Sequence, residues 1–140
     1  MNYYFAYGSN LHRAQMKKRC PKCCYIKKHI LHGYQLTFRS KYGACDIEKK
    51  AGKKVYGALY KISKCAEKRL DVYEEYPTLY KKIYFSYKGY KVMTYTMVRK
   101  TKLVPPTKRY LGIVKQGYKD WKLNIKSLQT ALQPVAHLQR

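Results

Sequence analysis

At 140 residues the chain is long enough to bury a real hydrophobic core within one domain. A hydrophobic content of 46% excludes a disordered chain, and no apolar run approaches the length of a bilayer span. The 31 Lys and Arg outnumber the 7 Asp and Glu to leave a net charge of +24, a field that attracts polyanions and anionic small molecules alike. That charge is spread along the whole chain without a basic tail, and base readout favours Arg over Lys. It therefore reads first as a solvated surface. Met1 to Phe5 has neither the basic nor the apolar region of a secretory signal, so a soluble, cytoplasmic protein is expected, without a membrane partner and as a monomer or homodimer.

In chain order, the aromatic-rich Asn2 to Tyr7 reads as a short strand broken at Gly8-Ser9-Asn10. A helix from about Leu11 to Arg19 follows, with Ser9 or Asn10 as its N-cap and Pro21 as its stop. Tyr25 to Phe38 reads as strand interrupted near Gly33. A loop through Gly43 leads to Asp46-Ile47, and Gly52 precedes a strand over Lys54 to Ile62, in which Gly57 marks a bulge or a close approach. Ser63 caps a second helix running to about Glu75 and stopped by Pro77. Tyr80 to Tyr87 and Tyr90 to Arg99 flank Lys88-Gly89 as a hairpin. Pro105-Pro106 opens a polar connection, and Trp121, Ile125, Leu128 and Leu132 mark a helical face before a frayed end. This order does not alternate as a doubly wound fold would. It predicts an α+β protein, a mixed sheet or small barrel with flanking helices in one domain over 1–140.

Five cysteines without a signal peptide argue against a disulfide framework. Cys20-Pro21-Lys22-Cys23 has the form of half a zinc knuckle, with His29 and His32 downstream. A second ligand pair of comparable spacing is missing, so reduced, partly buried thiols are expected and no metal site.

Two features carry chemistry. A strand ending in Tyr7-Gly8-Ser9-Asn10 and feeding a helix presents backbone N–H groups in one direction, suited to an anion such as a carboxylate. Its simpler reading is an ordinary capped helix start. The second feature is the crowding of Asp71, Glu74 and Glu75 at the end of the second helix. Leu70 and Glu74 are four apart and share a face, so Glu74 stands at the edge of the apolar stripe while Glu75 turns to solvent. A partly desolvated Glu has a raised pKa, as a base working near neutral pH requires. The competing reading is an acidic helix end paired with this basic surface.

Together these segments resemble the gamma-glutamylcyclotransferase-like family. The resemblance runs over roughly residues 2–120. It begins with Tyr4-Phe5-Ala6-Tyr7-Gly8-Ser9-Asn10-Leu11 and Cys20-Pro21. Leu31 to Leu36, Val55 to Tyr60 and Leu70-Asp71-Val72-Tyr73-Glu74 continue it, followed by Tyr80, Pro105-Pro106, Tyr110 and Gly117. It implies a small mixed β-barrel with helices outside it. It puts the catalytic acid/base on Glu74, the glutamyl-binding loop on Tyr7, Gly8, Ser9, Asn10 and Leu11, and pocket walls on Tyr80 and Tyr110. The implied reaction is release of 5-oxoproline and an amine or amino acid from a small gamma-glutamyl conjugate, with no cofactor. Glu75 departs from the family, whose members often carry Gly there. The alternative is a non-catalytic basic protein of the same fold that binds nucleic acid.

Overall fold

In the computed structural model, which describes residues 2–138, nine main elements follow one another along the chain. They are β1 (Asn2–Ala6), α1 (Arg13–Arg19), β2 (Cys24–Arg39), β3 (Ala44–Ile62), α2 (Lys64–Tyr73), β4 (Tyr80–Tyr87), β5 (Tyr90–Met97), α3 (Lys108–Asp120) and α4 (Lys126–Leu132). Short 3-10 turns occupy Ser9–Leu11 and Gln133–Val135. The strands form one sheet in the order β2-β3-β1-β5-β4. β1 lies at its centre, antiparallel to β3 and parallel to β5. Mixed pairing and flanking helices make this the α+β architecture expected.

The word barrel needs correction. The sheet is not closed by hydrogen bonds, and β2 and β4 remain its edges. The edges meet through side chains instead. His29 of β2 stacks on Phe85 of β4 with ring centres 5.7 Å apart and planes 6° from parallel, and Tyr87 stands edge-on to it at 5.3 Å. Phe5, from the central strand, meets both His29 and Phe85 edge-on at 5.8 Å. Aromatic packing thus takes the place of a closing ladder. Burial also lowers the pKa of His29, with Lys27 and His32 adding to the effect, so its ring is held neutral in this stack.

Gly57 marks a close approach. A Cβ there would stand 2.3 Å from the Ala6 carbonyl oxygen and 2.5 Å from the Phe5 ring, so only glycine lets β3 lie this tightly on β1. The strand expected over Lys54 to Ile62 is the second half of a longer β3 that begins at Ala44 and runs through Gly52. Its ladder with β2 pairs Tyr34 with Lys49 and His32 with Lys54, so residues 50–53 loop out opposite Gly33 alone.

Helix ends differ from expectation in informative ways. α1 starts at Arg13, capped by His12, whose Nδ1 accepts the Gln15 N–H at 3.2 Å. Ser9 and Asn10 belong to the preceding 3-10 turn because their side chains are engaged elsewhere. α2 ends at Tyr73 with Glu74 as C-cap. The helix read over Trp121 to Leu132 begins only at Lys126, and Trp121 is instead the C-cap of α3. α3 was not anticipated. Thr107 caps it, accepting the Tyr110 N–H at 3.1 Å, and Tyr110, Val114, Tyr118 and Trp121 follow helical spacing. Gly112 and Gly117, poor helix formers, mask that period. The frayed end falls partly on residues 139 and 140, outside the described range.

Candidate active site

The end of β1, the start of β3, the end of α2, the start of β4, β5 and the start of α3 together line a cleft of about 320 Å3. Its floor is the loop that follows β1. Within the loop the Leu11 N–H donates to the Gly8 carbonyl at 3.0 Å and the His12 N–H to the Ser9 carbonyl at 3.1 Å. In such a turn the first N–H groups have no partner inside the helix and remain available to a ligand. The loop carbonyls are held from behind, where the Tyr60 hydroxyl donates to the Asn10 oxygen at 2.9 Å and the Trp121 indole to the Leu11 oxygen at 3.0 Å. The Asn10 amide donates to the Tyr4 hydroxyl at 2.9 Å, and its oxygen accepts from Arg19. Four side chains, from Tyr4, Arg19, Tyr60 and Trp121, thus hold the loop.

Glu74 faces this loop from the C-terminus of α2, where its own N–H closes on the Leu70 carbonyl at 2.8 Å. Leu70 is fully buried, and Glu74 sits half-buried one turn later on the same face. Burial pushes the Glu74 carboxyl up to about 7; Arg19 opposes the shift and Glu75 adds to it. A carboxyl of that pKa takes and returns protons near neutrality. Glu75 is exposed at the cleft mouth with φ +54°, a left-handed conformation that favours glycine.

The predicted tyrosines form the walls by clamping backbone. Tyr80 donates to the Cys45 carbonyl at 2.6 Å, the Tyr110 hydroxyl accepts the Cys45 N–H at 3.0 Å, and Tyr7 donates to the Tyr95 carbonyl at 2.8 Å. Burial raises the pKa of all three phenols well above normal, so they stay neutral. Tyr7, Gly8, Ser9, Asn10, Glu74, Tyr80 and Tyr110 thus meet in one cleft. Leu11 does not join them; its side chain is fully buried, packed on Gly117 of α3.

The structure adds residues to that set. Arg19, last in α1, reaches back to Ser9 Oγ at 3.3 Å and to Asn10, with its guanidinium over the Tyr73 ring. Tyr73, Tyr95 and Cys45 line the cleft. Burial pushes the Cys45 thiol up to about 12, which holds it as a neutral thiol near neutral pH. Cys20 is buried and Cys23 half-buried, both as free thiols. Among the described residues no group of three or more His, Cys, Asp or Glu side chains is placed to hold a metal, and no helix is long and apolar enough to cross a membrane.

A sequence profile of the family described as "Gamma-glutamyl cyclotransferase, AIG2-like" matches residues 4–122. The chain belongs to that family. Its fold is similar to that of a solved gamma-glutamyl cyclotransferase, at a TM-score of 0.78 and 22% identity over 94% of this chain and 86% of that one. An uncharacterized protein from Homo sapiens is matched at a TM-score of 0.80 and 24% identity, again over 94% and 86%. YkqA from Bacillus subtilis is matched at 0.77 and 21% identity, over 99% of this chain and 55% of the other. No curated protein sequence matches the chain. Of the family segments visible in the sequence, the Tyr7 to Asn10 loop and Glu74 now face each other across one cleft. Arg19 lies in no such segment, and no local signal marks it, since only the turn between β1 and α1 brings it back onto the loop.

Proposed function

We propose that this protein converts a small gamma-glutamyl conjugate to 5-oxoproline and a free amine or amino acid. The observation that carries this reading is Glu74, a carboxyl with a pKa of about 7 placed across from a preorganised N–H loop. In this reading the loop N–H groups of Gly8 to Asn10 hold the substrate α-carboxylate and fold the glutamyl chain back on itself. Orientation of this kind contributes up to roughly 7–11 kcal/mol in favourable intramolecular cases. The α-amine then attacks the side-chain carbonyl carbon. One C–N bond forms to close the five-membered lactam, and the bond to the leaving amine breaks. Glu74 takes the proton from the substrate ammonium and delivers it to the departing nitrogen, a role worth typically about 10²–10⁴-fold. Tyr80 and Tyr110, committed to the Cys45 backbone, keep the walls in place rather than moving protons.

The test is a panel of gamma-glutamyl amino acids and gamma-glutamyl amines with 5-oxoproline as the readout. Conversion of one subset by the parent protein, and of none by Glu74→Gln, is expected. Full activity in Glu74→Gln would remove the carboxylate from the mechanism.

A further inference from the structure

A second cleft, of about 570 Å3, lies between α4 and the outer parts of β2 and β3, and it shares no residue with the first. Its volume falls in the range of small-molecule sites. Three features set it apart. Lys53, Lys54 and Lys126 line it, and among the described residues none of the three is in an ion pair. Its remaining cation, Arg39, is already neutralised by Glu48 at 2.8 Å. No carboxylate lines the cleft. The others are committed elsewhere: Asp46 to Lys100, Glu67 and Asp71 to Lys82, Asp120 to Gln116 and the Arg13 N–H, and Glu74 and Glu75 to the first cleft.

The local backbone explains how the charge collects there. Residues 50–53 loop out of β3 opposite Gly33, with Gly52 at φ +79°, and this excursion carries Lys53 to the cleft beside Lys54. α4 brings Lys126 to the other side. Like charges held together without a counter-charge repel, and a bound anion removes that cost. Hydroxyl groups stand among the cations. Ser127 and Thr130 line the same cleft, and Thr37, only 8% exposed, has a hydroxyl with no hydrogen-bond partner among the described residues. A buried hydroxyl left unpaired is costly unless a ligand satisfies it. Tyr56 and Leu103 supply an apolar side. Lys54 Nζ lies 5.5 Å from the centre of the Tyr56 ring and the Ser127 hydroxyl meets the Tyr118 hydroxyl at 3.3 Å, so Lys53, Lys126 and the Thr37 hydroxyl are the groups left to a phosphate-bearing ligand, beside the apolar side that Tyr56 and Leu103 form.

We propose that this second cleft binds the phosphate groups of a nucleotide-sized ligand, either free or at the end of a nucleic-acid strand. The test titrates ATP and a 5′-phosphorylated single-stranded decanucleotide into the full chain by calorimetry at about 150 mM salt, where exposed charge is largely screened. Lys53→Glu/Lys126→Glu is compared with a control pair, Lys17→Glu/Lys115→Glu, which changes charge equally at exposed positions lining neither cleft. Saturable binding weakened about tenfold or more by the first pair and less than about twofold by the second is expected. Tighter binding of ATP assigns the free nucleotide, and tighter binding of the decanucleotide assigns the strand end. Absence of saturable binding, or an equal loss in both pairs, overturns the proposal, because the general field of the protein would then account for everything.

Discussion

The guanidinium of Arg19 lies 3.3 Å from the centre of the Tyr73 ring, joining the end of α1 to the end of α2 directly beside Glu74. This contact places a fixed positive charge where it holds the Glu74 pKa lower than burial alone would leave it. Removing a cation from a carboxylate raises its pKa. Arg19→Met, which keeps an apolar stem on Tyr73, is therefore expected to move the acid limb of the kcat/KM profile to higher pH. It also removes a donor to Ser9 and Asn10, so KM rises. A limb that stays in place would show that the charge does not reach Glu74.

Burial of Glu74 has a stability counterpart. Its folded pKa, about 7, exceeds the ordinary 4.5, so between those values the folded state binds more protons than the unfolded chain. Stability is then lost as pH rises through that window. Glu74→Gln is neutral at every pH and escapes the loss. After allowance for partial exposure, it should be more stable than the parent by about 1–2 kcal/mol at pH 8 and equal to it near pH 4. Thermal melts at the two pH values check this, alongside the absence of 5-oxoproline.

Glu75 separates strain from charge. At φ +54° a side chain costs about 1 kcal/mol relative to glycine, and the carboxylate there also raises the Glu74 pKa. Glu75→Gly should stabilise by about 0.5–1 kcal/mol and move the acid limb to lower pH. Glu75→Gln should move the limb and leave stability unchanged. Denaturant melts and pH profiles on both variants distinguish the two effects.

Gly117 couples α3 to the binding loop. A Cβ there would meet the Leu11 Cβ at 2.4 Å and the His12 nitrogen at 2.8 Å, and backbone cannot yield as a flexible side chain would. Gly117→Ala is expected to push α3 off the loop, at a cost of about 2–3 kcal/mol, and to raise KM more than it lowers kcat. The same substitution at Gly112, where an added Cβ would meet no atom from outside its own helix within 4 Å, should leave KM and kcat unchanged and stabilise the helix by about 0.5–1 kcal/mol.

Local pattern determined much of this protein. Aromatic and β-branched runs marked the strands, Lys88-Gly89 marked the hairpin, and Ser63 marked the start of α2, because each depends on neighbours a few residues away. Glu74 was legible for the same reason, being the one carboxylate four residues beyond a fully buried Leu. The loop at Tyr7 to Asn10 was legible as a turn feeding a helix, though its cap lies at His12.

Tertiary structure decided the rest. Whether Leu11 faces a ligand or the core depends on α3, a helix whose period Gly112 and Gly117 obscured. The arrival of Arg19 at Ser9, of Cys45 beneath Tyr80 and Tyr110, and of His29 on Phe85 joins segments far apart in the chain. No short-range period encodes such meetings. They follow from how the sheet curls and where the helices land, and those choices bring the Glu74 carboxyl and the Gly8 to Asn10 loop into one cleft.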